Sequence, residues 1–225
     1  MGVGEVKETE SYRERIARRA ALEVEDGMII NLGIGIPTLV ADFIPADKRV
    51  MFHAENGILG TGPSPAKGEE NAMLCNAGGF PVTLATGASF FDSATAFAII
   101  RRGLLDMTIL GVLEVSQNGD IANWIVPGKR VPGMGGAMEL AQKAKKVMVV
   151  TTHLDKNGRS KIVRECSLPL TATQAADWII TDMAVMEVTP DGLYLREVMY
   201  PYSVADVIGA TEAELKIEGE VGVFR

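Results

Sequence analysis

The chain has 225 residues, 47% of them apolar and 23% charged, the make-up of a globular domain with a full core. A net charge of −7 with no basic stripe argues against a nucleic-acid binder, though a single small anion needs only local positive charge. No apolar run reaches the ~20 residues that span a bilayer, and the polar start lacks a signal-peptide core, so a cytoplasmic protein with no membrane partner is expected.

Residues 1–10 are expected to be a flexible extension of a single domain covering 1–225. A helix is predicted over 11–25, with Ser11 and Glu14 spaced as a capping box and Ile16, Ala20 and Val24 on one face. Arg13, Arg15, Arg18 and Arg19 fall largely on a solvated face, and Asp26-Gly27 ends the helix. A short strand over 28–32 then runs into Gly33-Ile34-Gly35-Ile36-Pro37 and a helix start at Thr38. Strand, glycine turn and helix start is an arrangement that holds anions, but Gly33 and Gly35 belong to neither a full dinucleotide fingerprint nor a phosphate loop.

A second strand over 49–52 leads to Glu55-Asn56-Gly57, so a carboxylate stands at a strand end before a glycine-rich turn. Such a turn lets a ligand approach the backbone, because glycine has no Cβ. Another glycine turn and short strand fall within 76–85, a helix over 92–103, and a buried strand over 107–115. Asn118-Gly119 marks a hairpin with a return strand over 121–126. Gly133-Met134-Gly135-Gly136 opens a helix over 138–144, followed by an apolar strand over 146–151. Strands over 176–181 and 185–188, a turn at Asp191-Gly192 and a helix over 204–210 complete the series. Alternating strands and helices indicate an α/β fold: an open, largely parallel sheet flanked by helices.

In such sheets ligands collect at the carboxyl ends of the strands. If the three glycine turns share one edge, they surround a cleft with Asn31, Glu55 and the amides of Gly135, Gly136 and Ala137. A carboxylate facing backbone donors fits acyl transfer, the acid attacking a carbonyl and the donors stabilising the oxyanion. The only histidines are His53 and His153, and no serine sits in a nucleophile elbow, so a serine hydrolase does not fit. No cluster has metal-ligand spacing. Without a histidine base, a carboxylate nucleophile needs a leaving group that departs unprotonated, as a thiolate does. Cys75 and Cys166 read as buried thiols in a reducing compartment, His53 and Trp124 as packing residues, and Lys129-Arg130 as either a solvated pair or an attractor of phosphates.

Four motifs in order, Asn31-Leu32-Gly33-Ile34-Gly35-Ile36-Pro37, Glu55-Asn56-Gly57-Ile58-Leu59-Gly60, Asn123-Trp124 and Pro132-Gly133-Met134-Gly135-Gly136-Ala137-Met138, resemble the beta-type (B) subunits of 3-oxoacid CoA-transferases. The resemblance runs from about residue 15 to 198. Trp124-Ile125-Val126-Pro127-Gly128-Lys129 draws it toward the acetate/butyrate–acetoacetate members. It implies the CoA-transferase fold and Glu55 as the catalytic nucleophile. It also implies that Gly136 and Ala137 line the acyl site as oxyanion donors and that Asn31 contacts substrate or CoA. Gly33, Gly35, Asn56, Gly57 and Gly135 are the further candidate substrate or CoA contacts. Coenzyme A is then a substrate, with no tightly bound cofactor and no metal, and a separate alpha-type (A) subunit completes an A2B2 heterotetramer. Relatives commonly carry Ser before the glutamate where this chain has Ala54, so the carboxylate must be oriented by another group, with Asn56 as the candidate. Two other readings stay open: an acyl-CoA hydrolase using the same glutamate, and a non-catalytic phosphosugar-sensing domain on the related fold.

Overall fold

The computed structural model describes residues 10–128, 131 and 133–225, so most of the expected extension and the Lys129-Arg130 pair lie outside the described residues. In chain order the elements are α1 (Tyr12–Ala21), β1 (Ile29–Leu32), α2 (Ile36–Leu39) running into a 3-10 turn (Val40–Phe43), β2 (Met51–Ala54), β3 (Ile58–Thr61) and β4 (Leu84–Phe90). Next come α3 (Ser93–Arg101), β5 (Met107–Gly111), β6 (Glu114–Ser116), β7 (Ile121–Ala122), α4 (Ala137–Lys143), β8 (Lys146–Val150) and β9 (Ile162–Val163). The last are β10 (Trp178–Ile180), β11 (Ala184–Thr189), β12 (Gly192–Met199), α5 (Val204–Ala210), β13 (Leu215–Lys216) and β14 (Gly222–Phe224).

The capping box at Ser11 and Glu14 forms in both directions. The helix then stops at Ala21, short of the Asp26-Gly27 end read from the sequence. The amides of Leu22, Glu23 and Val24 turn back three residues to Arg19, Ala20 and Ala21, and this tighter winding carries Val24 into the core. Gly27, at φ 83, makes the turn into β1 instead. Arg19 is not solvated as expected. It is buried, bonded to Glu197 at 2.7 Å and Glu23 at 3.0 Å, because the C-terminal strands fold back over α1.

The main sheet runs β13-β12-β11-β10-β8-β5-β1-β2-β3-β4, with β14 beside β12. Its centre, β10-β8-β5-β1-β2, is parallel, as the alternation of elements predicts. The wings differ: β2, β3 and β4 are antiparallel neighbours, as are β10, β11 and β12. Antiparallel strands need only a tight turn, and the three residues 55–57 supply one between β2 and β3. The strand expected over 107–115 divides. β5 stays in the main sheet, while β6 joins a small sheet ordered β7-β6-β9, and the return strand covers only Ile121–Ala122.

Both faces of the sheet are covered, which explains the unbroken apolar run of β8. Val147 and Val149 pack with Ile100 and Leu140 from α3 and α4. Met148 and Val150 pack with Ile16, Ala17 and Ala20 from α1. The thiols are less buried than expected: Cys75 is exposed, and Cys166 is half-buried, its thiol pushed up to about 12 by burial and by Glu114 and Asp120.

His153 is fully buried between Thr181 and Thr211, its ring nitrogens 3.0 and 2.9 Å from their hydroxyls, and burial pulls its pKa down to about 4. Burial also lowers His53. Both imidazoles fold neutral, so the unfolded chain binds more protons below its histidine pKa of about 6.5. The stabilisation is complete above that pH and falls as pH drops toward 4. For His153 the loss is about 3 kcal/mol. Melting curves at intervals from pH 7 to 4.5 should show this fall, and His153→Gln should remove most of the slope.

Candidate active site

The parallel strands β1, β2, β5 and β8 end together, and their carboxyl ends open into a cleft of about 800 Å3. Glu55, the first residue after β2, is half-buried at its edge. Glu55 Oε2 accepts a hydrogen bond from Asn31 Nδ2 at 3.1 Å. The same amide group donates to His53 O at 3.0 Å, which ties Asn31, only 2% exposed, to the neighbouring strand. On the other side lies Gly136. A Cβ built there would stand 3.5 Å from Glu55 Oε1 and 3.3 Å from the Phe97 ring. The carboxylate is therefore clasped by a neutral amide and a bare backbone, and it borders open space. It also borders a second cavity of about 200 Å3 walled by Leu39, Phe52, Phe80 and Val82.

Asn31, Gly33, Glu55, Gly135, Gly136 and Ala137 thus come together, from three glycine turns that the sequence only suggests are neighbours. Gly35 caps α2 at φ 97 beside the Arg13 guanidinium and does not line the cleft. Asn56 and Gly57 also stand apart. Asn56 is exposed and donates to Cys75 O at 2.8 Å, so it does not orient the carboxylate; Asn31 does. Gly57 is buried against the carbonyl of Phe91. The Ala137 N–H donates to Met134 O at 3.3 Å, so the start of the two-turn α4 shares that amide with a turn rather than leaving it wholly free.

His53 packs rather than faces the cleft from its own strand position: its ring stacks on Phe91, 6.1 Å between centroids, and neither nitrogen has a partner among the described residues. Trp124 is half-buried and donates to Leu170 O at 3.2 Å. Asn123 lines the cleft and bonds Gly111 O and Thr171 Oγ1, which fixes the loop after β7. Phe97, Thr151, Thr152 and Lys161 are additional residues at the site. No local pattern marks them, because only the strand order brings them there.

On the reading of Glu55 as nucleophile, Asn31→Ala should lower kcat by about 10²-fold, since a carboxylate displaced by ~1 Å loses its attack geometry, and should cost about 1–3 kcal/mol of stability through the lost buried bond to His53 O. Steady-state kinetics alongside a melting curve checks this.

An open α/β sheet with a half-buried carboxylate bordering a cleft at its strand ends belongs to the class of α/β proteins that bind ligands at that edge. The chain belongs to the Coenzyme A transferase family, whose model matches residues 13–210. It is 59% identical over 206 residues to the beta subunit of a probable coenzyme A transferase of Bacillus subtilis, covering 92% of this chain and 95% of that one. It is 49% identical over 205 residues to the B-type subunit of the succinyl-CoA:3-ketoacid coenzyme A transferase of Helicobacter pylori, covering 91% and 99%. The fold matches the acyl-CoA transferase of Escherichia coli O157:H7 with a TM-score of 0.74 at 22% identity, over all of this chain and 45% of that longer one. Among the described residues, no helix is long and apolar enough to cross a membrane.

Proposed function

We propose that this chain is the glutamate-bearing subunit of a CoA-transferase that moves CoA between an acyl-CoA and a carboxylic 3-oxoacid such as acetoacetate. The observation that carries the reading is Glu55, held by Asn31 at 3.1 Å, beside the backbone of Gly136 and open to the cleft. A carboxylate held through a neutral amide keeps its charge available for attack.

Glu55 attacks the thioester carbonyl, the C–S bond breaks, and CoA leaves as thiolate with the electron pair, giving a glutamyl anhydride. The thiolate then attacks the glutamyl carbonyl and expels the first acid as carboxylate, leaving a glutamyl-CoA thioester. An acceptor carboxylate runs the same two steps in reverse. No step consumes or releases a net proton, which agrees with a cleft whose described residues present no histidine ring as general acid. Gly136 and Ala137 supply the main-chain donors for the oxyanion, the Ala137 amide by weakening its 3.3 Å bond to Met134 O.

Both intermediates react with water, so the cleft must close. Its lining includes the exposed apolar side chain of Ile34, at 65%, and Met138, 41% exposed, follows the lining residue Ala137; contact with another protein suits these more than solvent does. The relatives are themselves named as beta-type or B-type subunits, which supports an alpha-type (A) partner; the assembly proposed is an A2B2 heterotetramer in the cytoplasm, with CoA entering as substrate. The assembled enzyme, incubated with acyl-CoA and treated with hydroxylamine or borohydride, should carry its modification on Glu55. Release of free acid at the same rate with and without an acceptor acid would identify a hydrolase instead.

A further inference from the structure

The end of the cleft away from Glu55 holds a cation that the steps above do not use. Lys161 is half-buried and borders the same cavity. Its Nζ donates to Thr152 Oγ1 at 2.6 Å and to Thr151 Oγ1 at 3.1 Å. Both hydroxyl protons are already committed, Thr151 to Val112 O at 3.1 Å and Thr152 to Leu154 O at 2.9 Å. The two oxygens therefore act as acceptors, and the ammonium is pinned in one place. An ammonium has three donors, so this seat leaves one to spare.

The carboxylates whose fields reach Lys161 are engaged elsewhere. Asp155 pairs with Arg159 at 2.7 Å, and Asp182 accepts from His153 N at 2.7 Å. Burial lowers the lysine's pKa, and the fields of Asp182 and Asp155 offset this only in part, so the ammonium holds neutral hydroxyls but no paired carboxylate. In the open cleft, that shortfall suits an anion arriving with the substrate. Asn31 and Thr151 lie on or just past strands separated by β5, so their backbones stand about 10 Å apart, two strand spacings, and Glu55 follows β2, one strand farther from β8. An ammonium on the β8 side of the cleft is placed for a charged group at the remote end of a substrate whose carbonyl meets Glu55 on the β2 side.

We infer that Lys161, seated on Thr151 and Thr152, is an anchor for an anionic oxygen group that the substrate carries away from its reacting carbonyl. Such a group has two sources: the diphosphate of CoA, or the far carboxylate of a dicarboxylic acid. The inference rests on the CoA-transfer reading. The two sources share one chemistry, charge-assisted N–H···O bonding, and differ in which substrates feel its loss.

The test uses the enzyme assembled with its partner subunit, as wild type, Lys161→Met and Lys161→Arg. Two comparisons of kcat/KM are made: an acyl-CoA against the same acyl-pantetheine, which lacks phosphates, and succinate against acetate as acceptor. Lys161→Met should lose tenfold or more in one comparison, selectively for the substrate bearing the extra anion, and Lys161→Arg should restore most of it. Loss confined to acyl-CoA identifies the diphosphate; loss confined to succinate identifies the carboxylate. A uniform loss across all four substrates, or none, overturns the assignment. Should Lys161→Met fail to assemble, Thr152→Val, which removes part of the seat and keeps the charge, must show the same selectivity or the assignment falls. Absence of transfer by the wild type with every pair would instead overturn the CoA-transfer reading.

Discussion

Glu55→Ala, assembled with its partner subunit, is expected to lose CoA transfer by at least about 10⁴-fold while keeping its melting temperature. The size of the loss follows from covalent catalysis, because removing the nucleophile removes both intermediates and leaves only substrate positioning. Retention of fold follows from the position of the side chain. It is half-buried, its side-chain hydrogen bond comes from Asn31, and Asn31 keeps its bond to His53 O when the carboxylate is gone. Exchange of labelled CoA between acids, measured beside a melting curve, separates the two effects. Full exchange by the variant would sink the mechanism. Glu55→Asp sharpens the test: the charge remains, but a shorter side chain withdraws the carboxylate from Asn31 and Gly136, so kcat should fall steeply even though an acid is present.

Gly57→Ala should damage the fold itself. Gly57 sits at φ +118, where L side chains are strained, and a Cβ there would overlap the Phe91 carbonyl oxygen at a distance no real Cβ adopts. That oxygen is backbone and cannot swing aside. The approach is further fixed by the Phe91 amide, which donates to Gly57 O at 3.0 Å. Backbone strain and a rigid clash together should cost about 3 kcal/mol or more, a fall of roughly 6–12 °C in Tm for a chain of this size. Gly68→Ala is the matched control. Gly68 has φ +92 with nothing within 4 Å of a built Cβ, so it should lose only the strain, about 1 kcal/mol. Equal losses at the two positions would mean that the Phe91 contact is unimportant. Because Glu55 lies two residues earlier in the same turn, Gly57→Ala should also lose activity before it unfolds. Gly57 thus shapes the turn that aims the carboxylate.

The proposed reacting groups are legible in the sequence because they rest on short motifs. Glu55 before Asn56-Gly57, and Gly133 to Gly136 before a helix, announce a strand end and a backbone-lined turn within a few residues. The orientation of Glu55 is not legible there. Asn56 is adjacent in sequence, yet its side chain turns to Cys75 O, while Asn31 reaches the carboxylate from the parallel neighbouring strand. Arg19 departs from its sequence reading for a similar reason. Its helical position reads as solvent-facing, but Glu197 and the Phe224 ring arrive from the C-terminal strands and cover it.

The sequence by itself determined the elements whose causes lie within one or two turns of chain. These are the capping box at Ser11, α5 over Val204–Ala210, the apolar strand β8, and the strand-end glutamate. Local hydrogen bonds and side-chain periodicity are written residue by residue. The tertiary structure alone decided which strand ends became neighbours, that the sheet's wings run antiparallel, and that Asn31, Glu55, Gly136 and Lys161 share one cleft. Strand order is settled by burying both faces of the sheet at once, a balance over the whole core that no short segment carries.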